Sequence, residues 1–188
     1  MRSVTFVDRL TLEVEGTVAQ NAVCLGEVAG RGEGCLVVGT GAGLLMVFRG
    51  PSTSPWLVAR ELGFITAVAV GDLLGLGRPV LVAASGCGWV HIFDCSLEEE
   101  AVDGEPRVMA PLHTQRIPAN VKDMILCDVV GRGEVELVVS LTDRVVRTYR
   151  WLAGEAGEPG RLVSVNKWEF ASQIGTVGGG APPAPGHL

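Results

Sequence analysis

At 188 residues the chain is long enough for one domain with a real core and too short for two ordinary ones. It is 47% apolar, has 26 glycines, and carries 19% charged residues with a net charge of −6. That balance argues against nucleic acid as a partner and against direct binding to anionic membranes, since both need local clusters of Lys and Arg.

The opening Met1-Arg2-Ser3-Val4-Thr5-Phe6 runs into Asp8 and Arg9 and so holds no secretory apolar core, which points to a soluble, cytoplasmic chain. Val4-Thr5-Phe6 and Leu10-Thr11-Leu12-Glu13-Val14 read as strands, one of them placed to close a ring with a later sheet. The uncharged runs at residues 62–71 and 79–90 fall short of the roughly 20 residues a spanning helix needs, and both are rich in Val and Gly.

Three stretches then align without gaps. The first is Leu25-Gly26-Glu27-Val28-Ala29-Gly30-Arg31-Gly32, leading to Leu36-Val37-Val38-Gly39. The second is Val70-Gly71-Asp72-Leu73-Leu74-Gly75-Leu76-Gly77, leading to Leu81-Val82-Ala83-Ala84. The third is Leu126-Cys127-Asp128-Val129-Val130-Gly131-Arg132-Gly133, leading to Leu137-Val138-Val139-Ser140. An aromatic residue follows each acid at one fixed distance: Phe48 after Glu27, Phe93 after Asp72, Tyr149 after Asp128. The units therefore occupy about residues 22–49, 67–94 and 123–151.

Each unit reads as strand, glycine loop, strand, turn, strand. Its central strands are apolar at consecutive positions, as in sheets covered on both faces. Repeated all-β sheets with a period of about 45 to 56 residues are the pattern of a β-propeller with WD-like blades. Three blades are fewer than the four to eight that usually close a ring. An incomplete ring is expected over residues 1–172, as a truncated or partial form or one completed by a partner. Residues 50–60 and 97–115, with the acidic Glu98-Glu99-Glu100, read as loops, and the Gly- and Pro-rich residues 173–188 read as a disordered tail.

The chemistry-bearing residues are few. Calcium loops of the Asp-x-Asp-x-Asp-Gly-x-x-Asp kind need several hard oxygen ligands. Asp72, Asp128 and Glu136 stand at such positions, but Val130 and Arg132, or Leu74 and Leu76, stand where further carboxylates belong. The three residues read as vestigial positions, and no metal is expected. Cys87, His91 and Cys95 are too far apart along one strand to meet a single zinc ion. The five cysteines are odd in number and scattered, as reduced core residues would be. Gly39-Thr40-Gly41-Ala42-Gly43 lies between two strands and reads as a hairpin turn, not a nucleotide loop. Gly30-Arg31-Gly32-Glu33 differs from the adhesive Arg-Gly-Asp at its acid and returns as Gly131-Arg132-Gly133-Glu134. His113 has no spacing that ties it to Asp123 or Asp128, and His187 lies in the tail; no catalytic centre and no cofactor site is expected. Arg144, Arg147, Arg150 and Trp151 form the candidate partner surface, because Arg and aromatic residues are favoured interface anchors.

The loops resemble the FG-GAP repeat of integrin α-subunits and their relatives. Further residues narrow the likeness: Met1-Arg2-Ser3-Val4, Cys24-Leu25-Gly26, Pro55-Trp56-Leu57, Gly88-Trp89-Val90-His91-Ile92-Phe93-Asp94, Ile117-Pro118-Ala119-Asn120, and Thr142-Asp143-Arg144-Val145-Val146-Arg147-Thr148-Tyr149-Arg150-Trp151. Over roughly residues 1–170 the chain resembles the N-terminal part of the integrin-alpha FG-GAP repeat-containing protein 2 family. That resemblance implies a propeller subunit of the KICSTOR scaffold, peripheral at the lysosomal membrane. It implies kaptin and the other KICSTOR subunits as partners, and through them the Rag GTPase-activating complex. The implied outcome is restraint of TOR complex 1 when amino acids or glucose are scarce. The alternatives are a calcium-dependent adhesion-type module, an enzyme on a propeller scaffold, and a truncated product without function.

Overall fold

The computed structural model describes residues 9–29, 32–97, 105–155 and 158–179. The strand expected at Val4-Thr5-Phe6, Arg31, the acidic Glu98-Glu99-Glu100 and residues 180–188 with His187 lie outside the described residues.

Each repeat unit folds into one antiparallel sheet. The first contains β1 (Val23–Gly26), β2 (Cys35–Gly39), β3 (Leu45–Arg49) and β4 (Leu57–Ala59) in that order. The second contains β5 (Ile65–Gly71), β6 (Val80–Ser85), β7 (Trp89–Phe93) and β9 (His113–Arg116). A two-residue strand, β8 (Arg107–Val108), precedes β9 but pairs in parallel with β4. The third contains β10 (Val121–Cys127), β11 (Glu136–Leu141), β12 (Val145–Leu152) and β13 (Arg161–Glu169). No helix among the described residues is long and apolar enough to cross a membrane.

These sheets are blades of a β-propeller. Side chains alternate along a strand, so a strand apolar at every position has two faces to bury. In β6 all six residues are buried. Leu81 and Ala83 join Val37, Val47 and Leu57 of blade 1, while Val80, Val82 and Ala84 join Leu137 and Val139 of blade 3. Inner strands β1, β5 and β10 border a central cavity of about 380 Å³. Blades approach closely where one partner has no side chain: a Cβ on Gly26 would lie 3.2 Å from Val70 Cβ, and one on Gly71 3.1 Å from Leu126 Cβ. The same irregularity marks β5 at Ile65/Ala67 and β10 at Val121/Asp123, so even the bulge repeats.

Two expectations change. The stretches read as loops, residues 50–60 and 97–115, contain β4, β8 and β9. These outermost strands are short or face solvent on one side, as in the alternating exposure of His113–Arg116, and so lack the doubly apolar signal of the inner three. Residues 10–14 form no strand. Leu12 and Val14 instead pack on the outward face of blade 1, against Val38, Met46, Phe48 and Val58.

Candidate interaction surfaces

The three acids of the repeat loops do one job. Asp72 accepts from the Leu76 and Gly77 amides at 2.8 and 2.7 Å. Asp128 accepts from Gly131 and Gly133 at 2.7 and 2.5 Å, and Glu27 accepts from Gly32. In each unit the acid reaches the glycine five residues on, and those glycines have φ of 77°, 69° and 81°, the left-handed region that suits a residue without Cβ. Hydrogen bonds from the Gly133 amide and its neighbours outweigh partial desolvation and hold the Asp128 carboxyl below its ordinary range. The carboxylates that resemble calcium ligands are thus occupied by backbone N–H groups. Glu136 lies apart from them: it is fully buried, with Oε1 2.8 Å from Arg150 Nη2.

Cys87, His91 and Cys95 are also separated in use. Cys87 is exposed at the β6–β7 turn beside Ser85 Oγ, at 3.2 Å, and that bond holds its thiol below the ordinary range. His91 Nδ1 is 3.1 Å from Thr114 Oγ1, and Cys95 is buried between blades 1 and 2. None of the five cysteines forms a disulfide, and burial pushes the thiol of Cys24 up to about 11. Among the described residues no three His, Cys, Asp or Glu side chains gather in a way that suits a metal. His113, on an outermost strand, stacks edge-on with Trp151 at 4.9 Å. Asp123, on an innermost strand, accepts from Thr176 and Val177, so the two form no acid–base pair.

The structure divides the four residues of the candidate partner surface. Arg150 is held by Glu134 and Glu136, and Trp151 lines a small recess with Asp72, Leu73 and Glu134 between the loops of blades 2 and 3. Arg144 and Arg147 sit at the other end of β12, on a groove of about 250 Å³ with Lys167, Glu169 and Phe170. Arg144 takes a left-handed φ of 70° at the hairpin tip, and its guanidinium donates to the Ala171 carbonyl at 3.2 Å. Arg147 and Lys167 are register partners across β12 and β13, two like charges set face to face. Glu169 takes one of them as a partner through Lys167. Lys167 and Phe170 are new to this surface; Lys167 belongs to β13, a strand that carries no repeat signal, and Phe170 follows its end.

Residues 49–185 match the family described as Integrin-alpha FG-GAP repeat-containing protein 2. The chain belongs to that family. The match runs past residue 170, so the family pattern extends beyond the stretch that carries the likeness by eye. Among curated relatives, the KICSTOR complex protein ITFG2 of Mus musculus is 39% identical, across 94% of this chain and 42% of its own length. The Bos taurus protein of the same name is 39% identical across 94% of this chain and 35% of its own length. The chain therefore spans less than half the length of the curated relatives it matches. Solved propellers share the fold of this family member at low identity. BBS1N, from its complex with ARL6DN, aligns with a TM-score of 0.55 at 14% identity, covering 87% of this chain and 48% of that one. Kluyveromyces lactis Hsv2 aligns with a TM-score of 0.52 at 12% identity, covering 83% and 48%.

Proposed function

We propose that this chain is a propeller portion of a non-catalytic scaffold subunit in a KICSTOR-like complex. The observation that carries the reading is 39% identity to the mouse and cattle KICSTOR proteins across 94% of the chain. In this reading the chain binds kaptin and the other KICSTOR subunits. Through them it reaches the Rag GTPase-activating complex, lies peripherally on the lysosomal membrane, and helps restrain TOR complex 1 when amino acids or glucose are limiting. Its loop acids serve the backbone, which fits a binding module better than a metal-dependent one. The contact we assign is the groove of Arg144, Arg147 and Lys167, whose facing cations suit an acidic partner segment. Arg150 is engaged by Glu134 and Glu136 and Trp151 lines the recess at the other end of β12, and we leave them out of that contact.

Affinity purification of the chain from cells at near-native expression, read by mass spectrometry, tests both statements. Recovery of kaptin, with a loss of at least tenfold in the Arg144→Glu/Arg147→Glu variant, supports them. Recovery of kaptin with no loss in the variant removes the groove from the reading, and recovery of chaperones alone overturns the scaffold role of this portion.

A further inference from the structure

The hairpin between the second and third strands turns the same way in all three blades. Gly43, Gly88 and Arg144 stand at its tip, each at the same distance before the repeat aromatics Phe48, Phe93 and Tyr149. All three take left-handed φ values, of 83°, 92° and 70°. Each tip carbonyl accepts one amide from the linker that leaves its blade: Leu62 at 3.1 Å, Ile117 at 2.8 Å and Phe170 at 2.9 Å. A Cβ on Gly43 would lie 2.9 Å from the Gly63 nitrogen, and one on Gly88 would strike the Ile117 carbonyl. Blade 3 makes room for a side chain at this point, and it holds an arginine in a conformation that suits glycine. The next position departs from the repeat in blade 2. Its counterparts are the half-buried Leu44 and the buried Val145. In blade 2 it is Trp89, 42% exposed, with the Arg116 guanidinium 5.9 Å from its ring centre.

These two departures are neighbours. Ile117 bonds the Gly88 tip, and Pro118, next in the chain, lines the groove of Arg144, Arg147 and Lys167. Arg116 stands two positions before Pro118, about 7 Å of extended chain, and both are exposed. The cations Arg116, Arg144, Arg147 and Lys167 outnumber the carboxylates of the groove, Asp143 and Glu169, and Glu169 is already engaged by Lys167. An exposed tryptophan and a left-handed arginine add nothing to the sheets beneath them, whereas aromatic and Arg residues are favoured interface anchors.

We infer that the hairpin tips of blades 2 and 3 form one docking strip, running from Trp89 and Arg116 across Pro118 to Arg144, Arg147 and Lys167. Its occupant is an extended partner segment that carries carboxylates for the cations and an apolar side chain for Trp89. The inference rests on the groove contact proposed above and adds a second anchor to it.

The probe is a fluorescein-labelled peptide of alternating glutamate and leucine, read by anisotropy on the whole chain. Arg144→Gly and Trp89→Leu each install the residue that the repeat carries in another blade. Both are expected to keep the parent's urea midpoint and to bind the probe at least tenfold more weakly. Arg116→Gln, which leaves Trp89 in place, is expected to weaken binding as well. Cys87 is exposed at the same turn as Trp89, so saturating probe should slow its alkylation by iodoacetamide at least tenfold in the parent chain. One result overturns the strip and leaves the groove contact standing: weaker binding in Arg144→Gly alone, with Cys87 alkylated at its free rate. Parent-like binding in Arg144→Gly overturns both. Equal binding of a peptide with glutamine in place of glutamate overturns the acidic occupant.

Discussion

Blade 2 and blade 3 are built from the same repeat, yet their central strands are buried in different company. Val80, Leu81, Val82, Ala83 and Ala84 of β6 are fully buried against two neighbours and bring no charge with them. β11 is equally buried, but its alternate positions Glu136 and Ser140, with Thr148 across the sheet, are polar and face away from blade 2. Blade 1 shows that polarity is not a rule for outward faces. Its outward side carries Val38, Met46 and Phe48, and it is covered by the unpaired chain around Leu12 and Val14. Regular blade-to-blade packing therefore selects apolar side chains, from Ala83 to Phe93, while a face covered by irregular chain tolerates either chemistry.

The repeat aromatics give that comparison its sharpest test. Phe93 sits between blades 1 and 2, and Phe48 is its counterpart beneath Leu12 and Val14. Phe93→Ala is expected to cost about 3–5 kcal/mol, the usual range for a large cavity between rigid walls. Phe48→Ala is expected to cost about 2 kcal/mol, because a segment outside any sheet can settle into the space. Urea unfolding of both variants checks this, and equal losses would mean the two faces are equally rigid. Next in size is Arg150, whose side chain is 40% exposed while Glu136 is fully buried. Arg150→Met is expected to lower the urea midpoint less than Phe48→Ala does, since it leaves the buried Glu136 carboxylate without its guanidinium partner while Glu134 stays on the same side. Adding Glu136→Leu should recover most of it, as apolar replacement of both partners often does. A double variant no better than the single would make Glu136 a structural requirement of the outward face. Smaller again is Asp72→Ala, expected to cost about 1 kcal/mol for the amides it leaves unbonded, with thermal melting of the parent chain indifferent to EDTA.

How much of this the sequence carried follows from the same contrast. The inner three strands of each blade were legible because strands covered on both faces spell uninterrupted apolar runs, as Leu81-Val82-Ala83-Ala84 does. The outermost strands were not, since His113–Arg116 alternates half-buried with exposed and β4 has only three residues. The loop acids were legible as positions, but their partners are backbone amides, which no side-chain pattern reports. The group Arg144, Arg147, Arg150 and Trp151 was adjacent in sequence and divided in space, because β12 runs Val145–Leu152 and carries its two ends to different loops. Lys167 joined the groove through the register of β13, and register is a property of pairing that a single strand does not display.

The smallest expected effect isolates a loop from packing altogether. Asp128 is half-buried at the rim of the loop, and amide donors led by Gly133 hold its carboxyl below its ordinary value. A carboxyl with a folded value below its unfolded one favours the folded loop while it is ionised. Its contribution is complete above the unfolded value, about pH 4, and is lost as the pH falls through the depressed folded value. Acidification from neutral to about pH 5 should therefore leave the loop untouched, and further acidification should speed amide exchange at Gly131 and Gly133 once intrinsic rates are corrected. In Asp128→Asn, which keeps an acceptor oxygen but no charge, exchange at these two amides should lose that acid dependence. If the variant kept it, the loop would be responding to the sheet beneath it, and the loops would then share the fate of the blade faces instead of standing apart from them.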